Sequence, residues 1–174
     1  MTYEELQKTE LFSFFNFTES GRKSAPDGYQ VIHYKPGGFQ EFIDVKMKID
    51  RSQLVQEGVL YLDRDWIGGP MTVSPFGKNL AKSFIAAICP NVDKEKAERI
   101  VSTIWNLRGS NDQIISTQPE GSENGTEDIP IEELEQVYLG ITKKFELVCE
   151  KSCITIENVM DVGRKRLKIS IESI

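Results

Sequence analysis

The sequence predicts an α+β fold. It reads as one domain, residues 1–174, with an antiparallel sheet of about five to six strands covered on one face by helices. Two patterns carry that prediction. Phe39, Ile43, Val45, Met47 and Ile49 alternate with Gln40, Asp44, Lys46, Lys48 and Asp50, which is the period of a half-buried strand. Phe76, Leu80, Phe84 and Ile88 recur every four residues, which is the apolar stripe of a helix. Strand signals cluster toward both ends of the chain and helical ones lie before and between them.

The elements follow in order. Thr2 and Glu5 form a capping-box pattern that starts a helix from about Tyr3 to Phe15. Pro26-Asp27-Gly28 marks residues 21–28 as a loop. Tyr29 to Tyr34 is a strand, Pro36-Gly37-Gly38 a turn, and the alternating run beyond it completes an antiparallel hairpin. Glu41 and Phe42 interrupt the alternation, which points to a bulge or a change of face. Gly58 introduces a third strand, Val59 to Leu62, which ends in the turn Asp63-Arg64-Asp65-Trp66.

Ser74-Pro75 opens a helix that Pro90 stops. Asp93 caps a second one with Ala97, Ile100, Val101, Ile104 and Trp105 inward, so residues 75–108 read as a helical pair. Gln113 to Thr117 suits a short strand. Residues 118–130, rich in Pro, Gly, Ser and acid, read as a solvated, mobile acidic loop. A helix over residues 131–148 carries acids early and Lys143 and Lys144 late, in accord with the helix dipole. Ile154 and Ile156, the turn at Asp161-Val162-Gly163, and Leu167, Ile169 and Ile171 form a last hairpin that extends the first sheet.

Composition narrows the function classes. Apolar residues make up 39% and charged residues 28% of the chain, as in ordinary globular proteins. Acids at Glu4 and Glu5, with no basic and apolar leader, lead us to expect a cytoplasmic protein. No run has the ~20 apolar residues that a membrane helix needs. The formal net charge of −6 disfavours nucleic acid, whose phosphates demand a basic surface. There are 3 cysteines, Cys89, Cys149 and Cys153, in no C-x-x-C spacing, which suit small buried apolar residues in a reducing compartment.

Catalytic signals are scarce. The chain has 1 histidine, no glycine-rich phosphate loop and no G-x-S-x-G elbow. His33 falls in an apolar strand, facing away from Ile32 and Tyr34, with no second histidine or nucleophile motif beside it. No cofactor is implied. The function expected from this pattern is a non-enzymatic intracellular module that binds a protein or peptide, including a second copy of itself. Its candidate surface is the aromatic run Phe12, Phe14, Phe15 and Phe17, which holds too many large side chains for one helical face. Packing of the whole run onto its own domain is the plainer alternative.

Two further readings stand beside it. Phe76, Phe84 and Trp105 would line an apolar ligand pocket between sheet and helices. Asp63 and Asp65, helped by Asp44 or Asp50, would hold Mg²⁺ or Ca²⁺ for a metal-assisted enzyme, although a D-x-D turn more simply forms local ion pairs. The basic cluster Arg164-Lys165-Arg166 with Lys168 suits either an anion or the protection of an edge strand.

Overall fold

A computed structural model describes residues 1–67, 74–89, 92, 95–97, 100, 144–149 and 151–174. Their elements are α1 (Tyr3–Gln7), α2 (Glu10–Phe15), β1 (Thr18–Ser24), β2 (Gln30–Lys35), β3 (Ile43–Ile49), β4 (Val55–Asp63), α3 (Arg64–Ile67), α4 (Pro75–Ile88), β5 (Lys144–Cys149), β6 (Ser152–Asp161) and β7 (Arg164–Ser173). Among the described residues, seven strands make one antiparallel sheet in the order β1-β2-β3-β4-β7-β6-β5. The α+β class and the C-terminal extension of the sheet through β4 and β7 are present. The strand number exceeds the expected five to six.

Register explains the core. Ile32, Met47, Gly58, Ile171 and Ile154 lie across from one another in neighbouring strands, and so do Tyr34, Val45, Leu60, Ile169 and Ile156. The nine side chains among them point to the face that helices cover. Gly58 is where α4 comes closest: a Cβ there would stand 2.2 Å from Ile88 Cδ1 and 3.2 Å from Phe84 Cζ. Only glycine lets that helix settle so low. Leu80, Ala81, Phe84 and Ile85 are wholly buried beneath α4, as the four-residue stripe predicts. Ser74 caps the helix by accepting from the Gly77 N–H at 3.2 Å.

Several expectations need correction. The helix expected over 3–15 is two helices. Thr9 has extended backbone, which breaks the helix there, and its hydroxyl donates back to the Leu6 carbonyl at 2.7 Å, at the end of α1. Residues 21–24 belong to β1 rather than to the loop; β1 is a polar edge strand with no apolar alternation to reveal it. The helix expected to run through Val148 does not: residues 144–149 are β5, paired with β6. Phe145 and Cys149 are buried while Lys144 and Glu146 are exposed, a strand alternation that also happens to fit a helical spacing from Ile141.

The basic cluster does not protect an edge. β7 lies between β4 and β6, and the edges are β1 and β5. Residues 95–97 and 100 are helical. The rest of the expected second helix of the pair, with Trp105, lies outside the described residues, as do Gly68-Gly69-Pro70, the strand at 113–117, the acidic loop 118–130 and the helix over 131–143.

Candidate functional site

The aromatic run divides by helical phase. In α2, Leu11, Phe12 and Phe15 turn into the core, and Phe17 packs partly against it. Phe14 is 71% exposed. Phe12 meets the Tyr34 ring edge-on at 5.0 Å. Phe12 and Phe15 are therefore structural, and of the four expected surface rings Phe14 is the one presented to solvent.

Phe15 links this helix to a larger aromatic array at one end of the sheet. Its ring lies 5.1 Å from Phe76 on α4, and Phe14 stands 5.0 Å from Phe15. Phe76 in turn is 4.9 Å from Phe39 and 6.2 Å from Trp66. Phe39 and Trp66 are 5.2 Å apart, and Phe42 stacks on Trp66 at 5.7 Å with planes 2° apart. These are the offset and edge-on separations that aromatic rings prefer. Phe39, at the centre, is 49% exposed.

Local chemistry positions the array. The turn after β2 is tied to α2 by a bond from the Gly37 N–H to the Phe15 carbonyl, 2.9 Å. Phe39 has φ of 57°, in the left-handed region that a bulky residue seldom occupies, and its carbonyl accepts from Phe42 N–H at 3.0 Å. Lys35 Nζ donates to the carbonyls of Gln40 and Ile43, holding the turn from the sheet side. The interruption at Glu41-Phe42 is thus this turn, not a bulge within β3. Phe39, Phe42 and Trp66 were absent from the residues expected on sequence grounds. Their signals were there: two phenylalanines flanking the broken alternation, and a tryptophan in a turn where apolar bulk is unusual.

Of the other sequence candidates, Asp63, Asp44 and Asp50 make local bonds. The Asp63 Oδ1 accepts from the backbone N–H of Asp65 at 3.0 Å and of Trp66 at 3.2 Å, so it caps α3, and its Oδ2 lies 3.6 Å from Arg164. Asp65 is exposed. Asp44 is held by Lys35 at 2.6 Å and by Arg166 at 2.5 Å. Asp50 accepts from the N–H groups of Ser52 and Leu54 and from Gln56. Among the described residues no group of three His, Cys, Asp or Glu side chains is placed to hold a metal ion. Phe84 is wholly buried, its ring beside Gly58, and Phe76 belongs to the aromatic array.

Electrostatics match these roles. Burial would raise the Asp44 carboxyl, but the bonds from Lys35 and Arg166 outweigh it and hold the group below the usual carboxylate range. His33 sits opposite Lys46, and burial, then the charges of Lys46 and Lys23, push its imidazole down. The Cys89 thiol is pushed up to about 11 by burial, against a hydrogen bond from Ser152. Such a thiol is a poor nucleophile at neutral pH. Three members of the basic cluster face acids: Arg164 lies near Asp63, Arg166 pairs with Asp44 and Asp161, and Lys168 pairs with Glu157 at 2.6 Å.

No helix among the described residues is long and apolar enough to cross a membrane. In comparisons with known proteins, the chain matches no family model, no curated protein and no solved structure.

Proposed function

We propose that this chain is a non-enzymatic recognition module that binds a protein or peptide through the aromatic array at the end of its sheet. One observation carries the reading: six rings from four separate chain segments form a continuous array, and two of its members, Phe14 and Phe39, face solvent. A buried aromatic base makes the exposed rings rigid, so little side-chain entropy is lost when a partner covers them. Rigid aromatic anchors of this kind dominate binding energy at protein interfaces. Asp63, Asp44 and Asp161 nearby are already engaged by Arg164 and Arg166, so the exposed rings offer mainly apolar contact.

The test is selection of peptides from a random display library on the immobilised protein, followed by fluorescence polarisation of the enriched sequences. The reading expects peptides with aromatic or aliphatic anchors. Phe14→Asp and Phe39→Asp should each weaken them by at least about tenfold, with circular dichroism unchanged. Absence of enrichment, or affinity unchanged from the parent chain in both variants, would defeat it.

A further inference from the structure

The fold brings Cys89 to the hairpin that holds the chain's other two cysteines. Cys89 is the C-cap of α4, with φ of −99° and ψ of 88°, so its backbone has already left the helical path. Its thiol accepts a hydrogen bond from the Ser152 hydroxyl. Ser152 is the first residue of β6, and its partner across the β5–β6 hairpin is Cys149, the last residue of β5. Directly opposed residues put their side chains on one face, with Cβ atoms about 4.5–5.5 Å apart. Cys149 and Ser152 are both buried, so that face is the covered one. The serine that touches the Cys89 thiol therefore stands beside Cys149, and both cysteines belong to the same apolar core.

Strand alternation keeps Cys153 out of this pair. In β6 the buried residues Ser152, Ile154 and Ile156 alternate with Cys153 and Thr155. Cys153 turns to the other face, across from Val148, which is 60% exposed. Cys149 and Cys153, four positions apart in sequence, stand on opposite faces of one hairpin.

We infer that Cys89 and Cys149 are a dithiol that a peroxide closes into a disulfide, pinning the end of α4 to β5. The two thiols give up two electrons and two protons. Hydrogen peroxide takes up both and leaves as two molecules of water. The bond demands Cβ atoms about 3.5–4.5 Å apart, and the Cys89 sulfur approaches by turning from Ser152 to its cross-strand neighbour. Burial pushes the Cys89 thiol up, which slows formation of the bond. The same burial keeps reductants from the finished bond. Joining residues 89 and 149 closes the chain between them into a loop, which lowers the entropy of the unfolded state. The dithiol stands apart from the aromatic array and does not depend on the recognition reading.

Hydrogen peroxide treatment of the native full chain tests it, read by intact mass and by peptide mapping after alkylation. Cys153→Ser removes the outer thiol and leaves the core alone. That variant should lose the mass of two hydrogens and yield one linked pair of peptides, holding Cys89 and Cys149. Cys89→Ser and Cys149→Ser should each lose the link. The oxidised Cys153→Ser chain should unfold in urea at a midpoint raised by roughly 1 M, and dithiothreitol should reverse the shift. Two thiols that stay free in the native chain would overturn the inference. So would oxygen added to either sulfur in place of the link, a link between two chains, a link that forms only in urea, or one that lowers the midpoint.

Discussion

Asp44 shows how one side chain can hold distant parts of the chain together. Its carboxylate joins Lys35 of β2 to Arg166 of β7, across β3 and β4. Arg166 is buried, and its remaining ion pair is with Asp161. Because the folded chain holds the Asp44 proton less tightly than the unfolded chain, its contribution is present above the ordinary carboxylate pKa of about 3.9 and is lost as pH falls through the lower, folded value. Asp44→Asn should cost about 2 kcal/mol in urea unfolding at pH 7, with the deficit shrinking below about pH 4. A loss that persists unchanged at pH 3 would mean that the site's worth is not electrostatic. Sequence reading placed Asp44 on the solvent side of an alternating strand, correctly, and paired it with Asp63 around a cation. One partner, Lys35, stands across the same hairpin, and the other, Arg166, lies 122 residues along the chain, a separation that no local spacing encodes.

At the scale of the element, short polar residues mark where helices begin, and the side chains of Thr2, Asp63 and Ser74 cap them. Thr2, Thr9, Asp63 and Ser74 stand at the starts of α1, α2, α3 and α4. The capping box at Thr2 and the Ser74-Pro75 start were legible, since such signals need only local sequence. For Asp63 the sequence allowed a turn with local ion pairs or a cation ligand, because a D-x-D pattern looks alike in a turn and at a cap. Asp63→Ala should destabilise the protein by about 1 kcal/mol. It should also shift Trp66 fluorescence to the red, read in a Trp105→Phe background so that Trp66 reports alone. Unchanged emission would show that α3 stays seated without its cap. β1 and β5 were missed for opposite reasons: β1 has no apolar alternation, and β5 has one that also continues a helical spacing. Each is a strand because a neighbour offers its unpaired backbone groups.

Across the whole molecule, the two faces of the sheet are balanced by different physics. The covered face is apolar through its middle, in the rows that run from Ile32 to Ile154 and from Tyr34 to Ile156. On the other face, Lys35, Asp44, Tyr61, Lys168 and Glu157 follow one another across β2, β3, β4, β7 and β6. Opposite charges there neutralise in pairs, and Lys46 lies 4.7 Å from the centre of the Tyr61 ring. That arrangement leaves this face solvated and sends attention to the sheet's end. It also ranks the strands by stability. β4 and β7 are paired on both sides over a buried core, while β1 is an exposed edge with an irregular register at Glu19 to Gly21. Hydrogen exchange should find β4 and β7 amides the slowest and β1 the fastest. Equal protection of β1 would imply that something pairs with that edge.

The α+β class, the N-terminal meander, the helix at 75–88, the last hairpin and the scarcity of catalytic groups were all set by the sequence on its own, because period, caps and turn residues act over a few positions. The tertiary structure alone decided that β7 is central, that its cations answer Asp44, Asp161 and Glu157, and that Phe12 and Phe15 are core. It alone gathered Phe14, Phe39, Phe42, Trp66 and Phe76 at one end. Those outcomes depend on strand order and on which surfaces meet, and burial and charge pairing are fixed by neighbours in space rather than by neighbours in the chain.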